Sequence, residues 1–166
     1  MLDALDRLAR GLEAALLALA GASLCLMMLL GCANMLLRSL GAPLPGTFEL
    51  MGFFGALAAA LALGATQRKG GHISVDLLRG KLPAAAERTL DVLGLAVSVS
   101  LFFLAGLETA KLGLSMVETG ELSETLRFPY HPFVFAVAGG CFAMGLTLAV
   151  QLLRLLASPI KSGRAA

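Results

Sequence analysis

Four long apolar segments dominate this sequence and limit the folds open to it. They cover residues 14–37, 48–66, 90–116 and 133–153, and the first contains no formal charge. As α-helices, at about 1.5 Å per residue, segments of this length cross a hydrocarbon layer of about 30 Å. Only 14% of the whole chain is charged, against roughly 25% in a soluble domain. The sequence therefore predicts an all-α membrane protein with four transmembrane helices, in one membrane domain of residues 1–166.

The residues that flank these segments predict how the helices begin. In residues 1–13, leucines recur at three- and four-residue spacing between charged residues, which indicates an amphipathic lead-in helix. Pro83, followed by three alanines, suits the first turn of the third helix, because proline there loses no bonded N–H. Helical character from Pro83 can continue to Val117.

Basic residues are distributed unequally between the two sides that four helices create. Lys and Arg are retained on the cytoplasmic side of short connections. One side carries only Arg38 and Arg127. The other side carries ten basic residues: Arg7, Arg10, Arg68, Lys69, Arg79, Lys81, Arg88, Arg154, Lys161 and Arg164. We therefore expect both termini to be cytoplasmic.

Small residues at helical spacing indicate surfaces for close helix packing. Gly52 and Ala56 lie one turn apart in the second segment, and Gly139 and Gly140 lie in the fourth. Small side chains allow helix backbones to approach closely in lipid. The three cysteines, which show no metal-ligand spacing, are expected to be small buried apolar residues.

Several function classes find no support in the sequence. It contains no nucleophile–base pair, no phosphate-binding glycine loop and no metal-ligand spacing, so we predict no enzyme activity, no metal and no cofactor. His72 and His131 are expected at opposite membrane boundaries and cannot share a haem iron. A net charge of +2, with basic residues beside the apolar segments, gives no reason to expect a nucleic-acid partner.

Two charged residues lie close together toward the C-terminal end of the third segment. Glu108 and Lys111 are spaced i,i+3, so that they can neutralise one another as an intramembrane ion pair. We expect either an interfacial pair near the outer boundary or a contact with a partner. Such a group also leaves open a self-contained four-helix exporter that acts as a homo-oligomer, although no inverted repeat or broken helix accompanies it.

The connection between the second and third segments carries the one compact polar motif. It reads Arg68-Lys69-Gly70-Gly71-His72-Ile73-Ser74-Val75-Asp76-Leu77-Leu78. This run resembles the cytoplasmic connection between helices two and three in the small (Q-type) permease subunit of tripartite ATP-independent periplasmic (TRAP) transporters. Glu49 matches that family's acidic residue at the start of helix two, and Pro129 with Gly139-Gly140 resembles its fourth helix. Many members have a Trp before the acidic residue, where this chain has Thr47-Phe48.

The resemblance implies a three-part transporter in the bacterial inner membrane. A periplasmic binding protein would deliver an organic anion, such as a sialic acid or a dicarboxylate, to a large subunit that moves it together with sodium. This chain would be the non-catalytic small subunit, in contact with the large subunit and with membrane lipids. The motif itself has two open interpretations. Its residues either secure topology and cap a helix, or form an interfacial segment that contacts the partner, with His72 and Asp76 paired across the turn.

Overall fold

The structure, a computed structural model, describes residues 2–68 and 83–157. It contains four helices, α1 (Leu2–Ser39), α2 (Thr47–Arg68), α3 (Ala84–Thr119) and α4 (His131–Ala157). All four are long and apolar enough to cross a membrane, which confirms the predicted fold class. Each predicted span lies within one helix. The amphipathic lead-in is continuous with the first span, so that α1 has 38 residues and a length of roughly 57 Å.

Helix α4 occupies the middle of the molecule. It contacts α1, α2 and α3, and α1 also packs on α2. Helix α3 contacts α4 alone among the described helices. The protein is therefore a three-helix group of α1, α2 and α4, with α3 attached to the free side of α4. Helices α2 and α4 run parallel, since Phe53 stacks on Phe133 and Ala60 meets Gly140 seven residues further along both helices.

The connections 40–46 and 120–130 lie at one end of the molecule, which we call the hairpin end; the opposite end is the terminal end. In the first connection, Gly41 and Gly46 have φ of 80° and 71°, values that glycine adopts without a steric penalty. The Asn34 side-chain oxygen accepts a hydrogen bond from the Leu44 N–H at 3.0 Å. At the start of the second connection, Gly120 ends α3 in the left-handed conformation. Both turns thus depend on glycine residues with positive φ, and the first also on a side-chain hydrogen bond.

Close backbone contact joins α2 to α4. A Cβ placed on Gly140 would lie 2.5 Å from the Ala60 carbonyl oxygen, so only glycine allows the two helices to come this near. Leu148 and Met144 are buried on the same side of α4. Lipid tails are as apolar as leucine, so helix association in a membrane depends on such close packing and on hydrogen bonds rather than on a hydrophobic driving force.

The cysteine prediction is wrong for two of the three residues. Cys25 and Cys32 are exposed on this chain, and Cys141 is only half-buried. Cys25 and Cys32 lie on α1, which turns many large apolar side chains outward, among them Met28, Leu29 and Leu36. An apolar segment of a membrane protein can face lipid or another chain, so apolarity alone does not indicate burial within the same chain.

Candidate functional site

The motif connection begins and ends beside the last turns of α4. Its residues Lys69, Gly70, Gly71, His72, Val75 and Asp76 lie outside the described part of the chain, and their roles stay predictions. Just before the motif, Gln67 Nε2 donates a hydrogen bond to Gln151 Oε1 at 3.3 Å. After it, Arg88 Nη2 donates to the carbonyls of Leu155 at 3.0 Å and Leu156 at 3.3 Å. A guanidinium there satisfies the last carbonyls of α4 and complements the helix dipole. Both flanks of the motif are thereby fixed to the terminal end of α4.

A buried carboxyl group that the sequence did not single out lies near this end. Glu13 is 6% exposed, and its Oε1 accepts a hydrogen bond of 2.5 Å from the Thr147 hydroxyl. Gly64 of α2 faces this pair, since a Cβ there would lie at ordinary contact distance, 3.4 Å from Thr147 Oγ1 and 3.5 Å from Glu13 Cγ. The three residues join α1, α2 and α4. Thr147 is the single hydroxyl residue in residues 133–153, and this is the signal that could have indicated a buried polar partner.

At the hairpin end, Glu49 binds the connection between α3 and α4. Its Oε1 accepts a hydrogen bond from the Thr125 N–H at 2.8 Å, and its Oε2 accepts one from the Leu126 N–H at 3.3 Å. Hydrogen bonds to an ionised carboxylate are stronger than neutral ones. The residue that resembles a family feature in the sequence thus ties the start of α2 to the second connection.

Ser123 shapes the turn that presents these two N–H groups. It is 2% exposed, and its Oγ accepts a hydrogen bond from the Phe128 N–H at 3.2 Å. Its own N–H donates to the Phe128 carbonyl at 2.8 Å, and its carbonyl accepts from the Arg127 N–H at 3.1 Å. Arg127 has φ of 52°, the left-handed region that non-glycine residues seldom adopt. These hydrogen bonds therefore join Ser123, before the turn, to Arg127 and Phe128, after it.

Aromatic rings fill the space beneath this turn. Phe53 stacks on Phe133 with ring centroids 4.4 Å apart and meets the Tyr130 ring edge-on at 5.4 Å. Above α2, the Leu126 side chain covers Gly46, where a Cβ would lie 2.3 Å from Leu126 Cγ. Glu49, the turn of residues 123–128 and the rings of Phe53, Tyr130 and Phe133 together close the hairpin end and are here called the Glu49 cap. The side chains of Glu118, Glu121, Glu124 and Arg127 are exposed around it.

The predicted ion pair is formed on α3 and is exposed on this chain. Lys111 Nζ lies 2.7 Å from Glu108 Oε1, and the two side chains are 68% and 59% exposed. Gly106 and Gly113 bracket the pair and pack against Phe142 and Phe135 of α4. By this register the pair lies six to nine residues into α4, roughly 9 to 14 Å from its start at the hairpin end. The pair thus lies within the candidate membrane span Ala86–Thr119, and its role, as an interfacial pair or as a contact with a partner, stays a prediction.

The four small residues that the sequence proposed for packing lie in two different environments. Gly140 is at the close contact with Ala60. Gly52, Ala56 and Gly139 are exposed, and no atom of another element lies within 4 Å of a Cβ built at either glycine. For these three residues, close helix packing stays a prediction.

Metal-binding side chains do not cluster in the described part of the chain. Residues 2–68 and 83–157 contain no group of three or more His, Cys, Asp or Glu residues that could hold a metal ion. His131 begins α4 and lies edge-on to the Phe135 ring at 6.5 Å. Glu13, Glu49, Gln67 and Arg88 each bind another helix or connection of this chain, an arrangement that organises helices.

Comparison with known proteins gives one match. The family model described as "Tripartite ATP-independent periplasmic transporters, DctQ component" matches residues 27–158. That range includes α2, α3, α4, the motif connection and the last part of α1. No curated protein and no solved structure matches the chain.

Proposed function

The chain belongs to the DctQ family, the small membrane components of TRAP transporters, and from this premise we propose that it scaffolds the large permease subunit of such a transporter. In this role it performs no catalysis. The large subunit couples uptake of an organic anion to sodium, and a periplasmic binding protein delivers the anion. A carboxylate, such as a sialic acid or a dicarboxylate, is the proposed substrate class.

The distribution of buried polar groups carries this proposal. Thr47 and Ser123 are buried at the hairpin end, whereas Glu13 and Thr147 are buried toward the terminal end. Ser23 is buried on α1 between these groups, and its hydroxyl donates to the Leu19 carbonyl of its own helix at 2.9 Å. Thr47 and Gly64, which contacts Glu13, are 17 residues apart on α2, or roughly 25 Å. Between the two groups, the helices meet at the Ala60–Gly140 backbone contact. Among the described residues, no polar path for an anion crosses the space between α2 and α4, which supports a subunit that leaves transport to its partner.

The outer surface also suits a scaffold. Helices α1 and α3 turn large apolar side chains outward over much of their length, including Leu29, Leu36, Val97 and Leu104. Such surfaces are stable against lipid tails or against the apolar helices of another membrane protein. A moving transport domain needs an anchored element beside it, and a wide group of helices resists tilting in the bilayer.

Orientation follows from the basic-residue count. We propose an inner-membrane location with both termini in the cytoplasm, which places the Glu49 cap on the periplasmic side where the binding protein arrives. Fusion of alkaline phosphatase or a fluorescent protein after Arg164 tests this orientation. Fluorescence without phosphatase activity is expected, and the reverse would overturn it.

Reconstitution tests the function. Proteoliposomes would contain this chain alone, the large subunit of the same genome alone, or both, with the matching binding protein and an inward sodium gradient. The substrate is first chosen from a panel of carboxylates by its thermal stabilisation of the binding protein. Uptake is expected only when both membrane subunits and the binding protein are present, and it should stop when sodium is replaced by choline.

Two results would contradict the proposal. Full uptake by the large subunit without this chain would remove the scaffold role. Transport by this chain alone would favour the self-contained exporter.

A further inference from the structure

The Glu108–Lys111 pair lies on the side of α3 that faces away from the rest of the protein. Gly106 and Gly113 mark the side in contact with α4. Glu108 follows Gly106 by two residues, and Lys111 precedes Gly113 by two, a rotation of about 200° at about 100° per residue. Both side chains therefore project almost directly away from α4, the one helix in the described structure that α3 contacts.

The direction of α3 tilts both side chains away from the nearer end of the helix. Helix α3 runs from the terminal end to the hairpin end, and Cα–Cβ bonds in a helix tilt toward its N-terminus. Both side chains therefore lean away from the hairpin end, which is the nearer end of α3. The Lys111 ammonium extends toward Glu108, one turn further from that end. The ion pair and an outward extension of Lys111 to the headgroups exclude one another.

The pair leaves polar atoms without protein partners. A lysine ammonium has three donors, and Lys111 uses one of them on Glu108 Oε1. The hydroxyl of Ser115, one turn further along the same side, makes no hydrogen bond to any described residue. By contrast, the Ser100 hydroxyl on this side donates to the Ala96 carbonyl of its own helix at 2.9 Å. Lipid tails offer neither donors nor acceptors, and charged groups inside a membrane face protein interiors or water-filled cavities.

We propose that the outward side of α3 around Leu104, Glu108, Lys111 and Ser115 binds a membrane-spanning helix of the large subunit. That helix presents a hydrogen-bond acceptor or an acidic group to Lys111 and a donor or a basic group to Glu108. The two charges lie in a fixed order along α3, with Lys111 nearer the hairpin end. The contact therefore sets the depth and direction of the partner helix as well as its position.

The identity of the partner rests on the proposed function, which supplies a large membrane chain. A second copy of this chain is the competing occupant. Exchanging the two charges distinguishes a surface that binds either of these proteins from a surface that contacts only lipid. Glu108→Lys combined with Lys111→Glu keeps the composition, the i,i+3 ion pair and the exposure of both residues, but reverses the order of the charges along the helix.

The experiment uses the full transporter, with this chain tagged and co-expressed with the large subunit of the same genome. The exchanged variant is expected to lower the amount of co-purified large subunit by about tenfold or more, since like charges then oppose one another. Glu108→Gln with Lys111→Gln should lower it less, because neutral amides still form hydrogen bonds. Ser100→Ala is the matched control and should leave it unchanged. A photo-crosslinking amino acid at position 104 should form a covalent product with the large subunit.

Each outcome is decisive. Unchanged co-purification of the exchanged variant, with the wild-type complex intact, would overturn this inference and leave the scaffold function standing. A cross-link to a second copy of this chain would also overturn it. Failure of the wild-type chain to co-purify with the large subunit would instead contradict the proposed function itself. Equal yield and helical content of all variants excludes misfolding as the cause.

Discussion

The most apolar stretches of α3 and α4 are equally hydrophobic, and yet the two helices occupy opposite positions in this protein. The most apolar stretch of each has a mean hydropathy of 2.1, but 44% of that stretch is buried in α4 and only 6% in α3. The difference lies in particular residues. Helix α4 has Gly140 against the backbone of α2 and Thr147 against Glu13. Helix α3 contacts α4 through Gly106 and Gly113 and leaves its other side uncovered.

This contrast shows what hydropathy measures in a membrane protein. It reports compatibility with lipid, which a central and a peripheral helix share. Position within the protein is decided by small residues that allow backbone contact and by polar pairs that are satisfied between helices. Four predictions test whether these contacts hold α4 in place while one side of α3 makes no stabilising contact within the chain.

The largest effect is expected from Gly140→Leu. Its Cβ would lie 2.5 Å from the Ala60 carbonyl oxygen, a backbone atom that cannot rotate away. Overpacking costs about 1–3 kcal/mol where side chains can adjust, and we expect at least that cost here. Thermal unfolding of the detergent-purified protein should show a clear loss of stability. Gly139→Leu is the matched control, since nothing lies within 4 Å of a Cβ at that position, and equal destabilisation by both variants would contradict the backbone contact.

Thr147→Val should have the next largest effect. The change keeps the shape of the side chain but removes the hydroxyl, which is hydrogen-bonded to the buried Glu13 carboxyl group and to the Ala143 carbonyl of its own helix at 3.0 Å. Loss of one partner from a buried polar group costs about 1–3 kcal/mol. Thr66→Val provides the comparison, because the Thr66 hydroxyl donates only to the Ala62 carbonyl of its own helix. If denaturation curves show the same small shift for both variants, the hydrogen bond between α1 and α4 contributes little.

A local effect is expected from Glu49→Gln. The neutral side chain accepts fewer and weaker hydrogen bonds from the Thr125 and Leu126 N–H groups, so the Glu49 cap should open more often while the helices stay packed. Hydrogen exchange should become faster at residues 125 and 126 and stay unchanged in α4. Glu121→Gln, an exposed change in the same connection, should leave exchange as it is. Unaltered exchange in Glu49→Gln would show that the aromatic rings alone close the cap.

The smallest effect is expected from Glu108→Leu combined with Lys111→Leu in the isolated chain. An exposed i,i+3 ion pair contributes less than about 0.5 kcal/mol. Without a partner, the unfolding temperature should stay the same or rise slightly. A large loss of stability would contradict the contrast between α3 and α4, because it would mean that this side of α3 already makes stabilising contacts within the chain.

Some of the site was predictable from the sequence and some was not. The i,i+3 spacing of Glu108 and Lys111 predicts an ion pair because helix geometry brings such residues together. That they lie on the side of α3 facing away from α4 was not predictable, since this depends on how α3 pairs with α4. Glu49 was noticed through a family resemblance, but its bonds to Thr125 and Leu126 join residues more than 70 positions apart. Glu13 was interpreted as one charge in an amphipathic lead-in, because nothing local to it reveals Thr147.

The sequence by itself determined the number of helices and their approximate limits, because a lipid layer requires a minimum apolar length and full backbone hydrogen bonding within each helix. It also determined the family, through the motif between α2 and α3. Only the tertiary structure decided which helix lies in the centre, which charges are buried and which side of α3 stays open. Those outcomes depend on contacts of about one atomic diameter between residues that are distant in the sequence. In lipid, the packed and the outward sides of a helix are both apolar, so no hydrophobic periodicity in the sequence reveals these contacts.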